Sequence, residues 1–265
     1  MAVGLQKTKY VAVKLRYKTG MKTKDIVLVI GDTRRDAYLT KDDSGTCQTE
    51  QLADAWMSPT TATCFSDCLT TFPDSCGSMV YNEATKACTP GSIAFAKIDT
   101  FQESIPKTSS NDTLFYITSP IPACNTSNGF ALFTLCGSTV CLYLSTSNLQ
   151  FDDAEQFCAD INSDLFIANT WARFSLFWNV SLTYLGQDTF LWLKRDSAEN
   201  QFVWGNGEPL SDELNEHIWQ EGQPNNWNGN GEYCVEAKHL TRPEYYGLND
   251  ALCQVEKAFV CEPKL

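Results

Sequence analysis

The chain has 265 residues, 32 acidic against 20 basic side chains, a net charge of −12 and twelve cysteines. It is long enough for one large or two modest domains, and its cysteines mark an oxidising compartment. So acidic a balance excludes nucleic acid and anionic membrane surfaces as natural partners. With no Cys-x-x-Cys pair and only His217 and His239 available, a zinc module is excluded as well.

Residues 1–46 form an unassigned N-terminal segment. They carry ten Lys/Arg against five Asp/Glu, whereas the remainder carries ten against twenty-seven. A secretory leader needs an apolar run of about seven to fifteen residues after a basic start. The best run here, Ile26 to Ile30, is five residues long, and nothing approaches the roughly 20 residues of a membrane span. The cysteines outweigh the missing leader. The expectation is a secreted, extracellular protein whose true start lies upstream, or whose residues 1–46 belong to a mis-set gene boundary. Alternation of Val11, Val13 and Leu15 with Ala12, Lys14 and Arg16 predicts a half-buried strand over Tyr10 to Tyr17. A second strand, Asp25 to Ile30, follows a turn at Lys18-Thr19-Gly20.

Residues 47–122 read as a small disulfide module. Cys64 and Cys68 are four apart, which puts both on one helical face and lets both staple a helix onto a sheet. Cys76, Tyr81-Asn82 and Lys86-Ala87-Cys88 follow. This pattern resembles the apple/PAN family, a smaller disulfide-rich α+β domain, and the resemblance implies bridges Cys64–Cys88 and Cys68–Cys76. Cys47 is left to pair with Cys124 or Cys136. Thr100 to Ala123 reads as the last strand running into a linker.

Residues 124–265 form the second domain. Cys141-Leu142-Tyr143-Leu144 reads as an opening strand. Phe151, Ala154, Phe157, Cys158 and Ile161 repeat at helical spacing, with Asp152, Asp153 and Glu155 on the wet face. A second helix is expected after Asn169 as N-cap, burying Phe174, Phe177 and Trp178. Further strands are expected at Phe190-Leu191-Trp192-Leu193, Phe202-Val203-Trp204-Gly205 and Ala258-Phe259-Val260-Cys261. Trp192, Trp204 and Trp219 read as core residues, while Trp227 lies among Asn and Gly.

The chemistry is concentrated in Gln223-Pro224-Asn225-Asn226-Trp227, Gly231-Glu232-Tyr233-Cys234 and Leu248-Asn249-Asp250-Ala251-Leu252-Cys253. Amide and carboxylate oxygens suit calcium, a hard cation that takes roughly six to eight oxygen ligands. Together these motifs resemble the C-type lectin domain family. The resemblance implies a C-type lectin fold, α+β, with two helices, antiparallel sheets and a long calcium loop region. It implies bridges Cys158–Cys261 and Cys234–Cys253. It also implies a Ca2+ ion held by Gln223, Asn225, Glu232, Asn249 and Asp250, exposed and open to a saccharide. Gln223, Asn225, Trp227, Glu232 and Asn249 would touch the sugar. Pro224 would be cis, and Asn226 and Tyr233, at acidic family positions, imply that a second calcium site is absent. Leu248 stands for the family's usual Trp.

Gln223 matches the galactose-type motif and Asn225 the mannose-type one, while Trp227 in its Gly-rich loop tilts the expectation towards galactose. The expected partners are glycans or glycoproteins, with a protein partner for the apple-like module. Sequons at Asn111, Asn125 and Asn179 fit a glycoprotein, and the family resemblance implies a role in innate immunity. No enzyme is expected: neither histidine has a nucleophile motif beside it, and no phosphate loop is present. The alternative is a calcium-independent protein-interaction module on the same scaffold.

Overall fold

The computed structural model describes residues 11–17, 23–30, 33–41, 47–48, 52–72, 75–92, 95–96, 112–118, 123–136, 138–196, 200–229, 231–239 and 247–264. They fall into two compact units, one drawn from 1–96, 105–121 and 136–139, the other from 122–135 and 140–265.

In the first unit the strands are β1 (Val11–Tyr17), β2 (Thr23–Ile30), β3 (Thr33–Lys41), β4 (Cys47–Gln48), β5 (Trp56–Met57), β6 (Ser78–Asn82), β7 (Ala87–Gly91), β8 (Phe95–Ala96) and β9 (Asp112–Thr118). The helix α1 spans Thr61–Thr71. Seven strands form one sheet in the order β1-β2-β3-β9-β6-β7-β5, and β4 pairs with β8. The two strands expected in 1–46 are therefore three, and β3 pairs with β9 in register Tyr38↔Thr118. The sheet runs through the boundary placed at residue 46. The turn expected at 18–20 lies outside the described residues.

Helix α1 starts at a reciprocal cap, in which Thr60 Oγ1 accepts from the Thr63 N–H and Thr63 Oγ1 accepts from the Thr60 N–H, both at 3.1 Å. Its buried face presents Cys64, Phe65, Cys68 and Leu69 to Met79, Tyr81 and Cys88. Cys64 is bonded to Cys88 and Cys68 to Cys76. The four-residue spacing thus ties one helical stripe to the strand region beneath it. Tyr81 donates its hydroxyl to Ser58 O at 3.0 Å, so this polar tip has a partner in the core.

The second unit is α+β. Its strands are β10 (Phe130–Leu135), β11 (Ser138–Leu144), β12 (Ser163–Leu165), β13 (Thr189–Arg195), β14 (Phe202–Trp204), β15 (Cys234–Ala237), β16 (Leu248–Ala251) and β17 (Ala258–Pro263). Its α-helices are α2 (Phe151–Asp160), α3 (Trp171–Val180) and the single turn α4 (Asp212–Asn215). The sheet order is β10-β11-β17-β13-β15-β16, with β12 on β17 and β14 on β13. β11 and β12 pair with β17, β14 and β15 with β13, and β16 with β15, all antiparallel, while β13 runs parallel to β17.

Helix α2 buries Phe151, Ala154 and Cys158 against Leu165, Phe190 and Phe259, and its acidic face is wet. Helix α3 differs, because Trp171, Phe174, Leu176, Phe177, Trp178 and Val180 bury it on most sides. Its N-cap is Thr170, whose hydroxyl accepts from the Arg173 N–H at 3.3 Å. Asn169, expected in that role, donates to Glu208 Oε2 at 2.7 Å instead, because a carboxylate is within its reach.

Cys158 is bonded to Cys261 across 103 residues, and Cys234 to Cys253 across 19. On loop-entropy grounds the first contributes about 4–5 kcal/mol and the second about 3 kcal/mol. Cys124 is bonded to Cys141, which removes Cys124 as a partner for Cys47. Cys136 is also in a disulfide, while the Cys47 side chain lies outside the described residues.

Candidate functional site

Residues 223–229 and 231–232 lie in a loop held on the β15–β16 ladder through Asp250. Gly247, at φ 149°, immediately precedes β16, and a Cβ there would lie 2.3 Å from the Gln220 backbone nitrogen. That close approach lets Leu248 exchange backbone bonds with Ile218 and Gln220 at 2.7 and 2.9 Å. Leu248 itself is fully buried. The Cys234–Cys253 bond clamps the far end of the same ladder.

The Gln223–Pro224 peptide is cis. Two residues on, the Asn225 N–H donates to Asp250 Oδ1 at 3.0 Å and the Asn226 N–H to Asp250 Oδ2 at 2.8 Å. Asn226 then closes the loop, because its Oδ1 accepts from the Gly231 N–H at 3.1 Å and the Glu232 N–H at 3.0 Å. Glu232 replies by accepting the Trp227 N–H on Oε2 at 2.7 Å. Asn226 is thus a loop-bracing residue in this structure. Asn225, Glu232 and Asp250 are brought together through it.

Asp250 departs from expectation. Its side chain is 0 % exposed, so it does not stand on an open surface. Its carboxylate already accepts two backbone N–H groups and the Arg195 guanidinium, whose Nη2 lies 2.6 Å from Oδ2. The cause is packing: β16 runs inside the loop region, and a carboxylate buried there must be hydrogen-bonded or paired. Arg195 carries no mark in the sequence as a site residue, since its partner is 55 residues away.

Asn249 faces a second charged group. Its Nδ2 donates to Glu236 Oε1 at 2.8 Å, across the register pair Glu236↔Asn249. Glu236, 1 % exposed, meets Lys257 Nζ at 2.5 Å and Lys238 Nζ at 3.2 Å. Asp188 completes the set, 2.8 Å from Lys238 Nζ and accepting the His239 N–H at 2.9 Å. Burial pushes the Asp188 carboxyl up. The Lys238 hydrogen bond, the His239 N–H and the charges of Lys238 and Lys257 outweigh burial and hold it below the ordinary value. Burial likewise pulls Lys238 down, and its bond to Asp188 with the Glu236 charge lifts it above the usual lysine value.

The oxygens that remain open decide whether a metal fits. Gln223 Oε1 is buried and receives no hydrogen bond. An orphaned amide oxygen of this kind costs about 1–3 kcal/mol, and a hard cation would satisfy it. Gln223 Oε1 therefore suits a hard cation, and Asp250 retains a lone pair on Oδ1. Among the described residues no group of three or more His, Cys, Asp or Glu is placed to hold a metal ion. Trp227 is 63 % exposed and Tyr233 45 %, so two aromatic side chains flank the loop at the surface. Trp204 is buried, and Trp192 and Trp219 are partly so.

Lys194, on β13, lies 4.4 Å over the Phe151 ring and 2.9 Å from Glu155, so it serves the helix α2 contact. Arg195 is the cation that the described contacts place on Asp250, while Lys238 and Lys257 meet Glu236.

Residues 147–263 match the family model of the lectin C-type domain. The matched stretch holds α2, α3, the β13–β15–β16 ladder and the 223–250 loop region. Human C-type lectin domain family 6 member A is 26 % identical over 125 residues, covering 46 % of this chain and 54 % of that protein. The hepatic lectin of Gallus gallus is 26 % identical over 125 residues, covering 47 % and 55 %. Human C-type lectin domain family 10 member A is 27 % identical over 129 residues, covering 47 % and 37 %. The chain spans about half or less of the length of these curated relatives. The carbohydrate-recognition domain of the human scavenger receptor C-type lectin aligns at 27 % identity and a TM-score of 0.41, covering 52 % of this chain and 97 % of that one. No helix among the described residues is long and apolar enough to cross a membrane.

Proposed function

We propose that the lectin domain binds carbohydrate through calcium, as the non-catalytic recognition module of a secreted protein. The observation that carries this reading is Gln223 Oε1, a buried carbonyl oxygen without a donor in the loop that also bears Asn225 and Glu232. Gln223, Asn225, Glu232 and Asn249 would hold the ion, with the remaining lone pair of Asp250 Oδ1. Bound calcium would supply coordination positions for vicinal sugar hydroxyls.

The chain's own residues would do the rest. The amides of Gln223 and Asn225 offer N–H donors to the hydroxyls, and Glu232 offers the acceptor. Asn249 has already given one N–H to Glu236, which lightens the donor excess of the site. Trp227 presents a flat apolar face suited to stacking on a sugar ring, and this favours galactose-type over mannose-type ligands. Five disulfides among the described residues and the exposed sequon asparagines Asn125 and Asn179 support a secreted glycoprotein. Asn111 lies outside the described residues. The first unit, with its apple/PAN-like bridges, is read as the contact for a protein partner, and the whole as a pattern-recognition protein of innate immunity.

One observation favours a second reading. The Arg195–Asp250 pair completes the loop without a metal, as a calcium-independent interaction module would require. Melting the chain in millimolar calcium and in chelator, alongside a glycan array in both, separates the two. Calcium at a hundredfold its Kd should add about 2.7 kcal/mol to the folded state. Equal melting curves with calcium-indifferent retention would return the site to the second reading.

A further inference from the structure

Arg195 ends β13, where its backbone N–H is held by Tyr233 O at 2.7 Å. From that fixed point Nη2 reaches Asp250 Oδ2 at 2.6 Å, and the guanidinium carbon lies 4.8 Å from the centroid of the Phe202 ring. Its Nη1 lies 3.4 Å from Asn200 Oδ1, and Nε is buried without an acceptor. The Asp250 carboxylate is therefore its one strong anionic partner among the described residues. With side chains 13 % and 0 % exposed, the pair is poorly screened by salt. The same carboxylate accepts the Asn225 and Asn226 N–H groups. One cation thus fixes one carboxylate, which fixes two successive loop peptides.

We propose that Arg195 is the resident counter-cation of Asp250: it holds the candidate ligand loop in place without a metal, and calcium binds against its charge. The second half rests on the calcium reading above, while the first is a property of the metal-free chain. Oδ2 has both lone pairs engaged by Asn226 and Arg195, so an ion could take only Oδ1 and would share the carboxylate with a fixed positive charge. Like charges across so short a distance, away from water, repel strongly. Arg195 therefore buys a preformed loop at the expense of calcium affinity, and is a positioning residue for Asp250 and not a ligand.

The test uses the full chain as wild type, Arg195→Met and Arg195→Lys. Hydrogen–deuterium exchange is followed at the Asn225 and Asn226 amides in chelator, and calcium alone is titrated by calorimetry. Exchange in Arg195→Met should be at least about tenfold faster than in wild type, and Arg195→Lys should restore most of the protection. Calcium should bind Arg195→Met about tenfold more tightly. Unchanged exchange in Arg195→Met, or no recovery in Arg195→Lys, overturns the holding role. Equal or weaker calcium binding by Arg195→Met overturns the competition. Calcium uptake by none of the three, with the expected exchange pattern, sinks the calcium reading and the competition together while the holding role stands. Should Arg195→Met fail to fold, Arg195→Gln carries the same comparison under the same criteria.

Discussion

Asp250→Ala should destabilise the metal-free protein severely, although the residue is polar and lies in a loop-rich region. The carboxylate is 0 % exposed and accepts from the Asn225 and Asn226 backbone N–H groups and from Arg195. Removing it strands two backbone donors, at about 1–3 kcal/mol each where they remain dry. It also leaves a guanidinium that is 13 % exposed without its anion, and breaking a buried pair costs about 3–5 kcal/mol. These costs overlap, since a loosened loop admits water to all three groups, and the net expectation is about 4 kcal/mol. For a unit of this size that lowers the melting temperature by roughly 10–15 °C. Asn249→Ala is the control. It removes one hydrogen bond from Glu236, which keeps Lys257 and Lys238, and should cost about 1 kcal/mol. Urea unfolding in chelator, followed by tryptophan fluorescence, measures both, because six of the seven tryptophans lie beyond residue 124. An Asp250→Ala variant within 1 kcal/mol of wild type, or no less stable than Asn249→Ala, would refute the buried-pair reasoning.

Three further outcomes are expected. Asp188 is held below and Lys238 above their ordinary values, so the stability the pair contributes is complete between the unfolded values of about 4 and about 10. It is lost as pH falls through the lowered Asp188 value or rises through the raised Lys238 value, and the wild-type advantage over Asp188→Asn in pH-dependent urea melts should shrink at both ends and nowhere between. Gln223→Glu places a carboxylate where an orphaned carbonyl oxygen now sits, and should lower the melting temperature in chelator while tightening calcium binding by about tenfold; unaltered calorimetric affinity would remove residue 223 from the ligand set. Trp227→Ala should leave stability and calcium affinity within about 0.5 kcal/mol of wild type, the ring being 63 % exposed, and weaken galactose retention on a column; full retention would free the ring from any part in sugar contact.

Helix α2 is legible in the sequence because its apolar residues repeat at 3.6 and its acidic residues fill the other face, so pattern and packing agree. Strand β3 is not, since Arg34-Arg35-Asp36 interrupts the apolar alternation that marks β1. The start of α3 is read one residue early because Asn169 and Thr170 are both good caps, and only the carboxylate of Glu208, 39 residues on, decides between them. In the candidate site the oxygen-bearing residues are visible from composition and spacing. Their commitments are not. Asp250 looks like a surface carboxylate until Arg195 is found beside it, and Asn249 looks free until Glu236 is. Both partners lie on other strands, and a polar residue in a one-dimensional string carries no sign of whether it is dry.

The ladder that joins the two ends of the second unit has one more implication. β11 lies beside β17, Leu149 and Lys257 exchange two backbone bonds at 3.0 and 2.9 Å, and Cys158 is tied to Cys261. The polypeptide between these closures is an excursion that leaves and returns at one place. The 223–232 segment sits well inside that excursion, held chiefly by Asp250 and the bracing amide of Asn226. None of the bonds that close the seam involves a residue of this segment. Exposed positions on such an excursion, Trp227 among them, can vary without touching the seam.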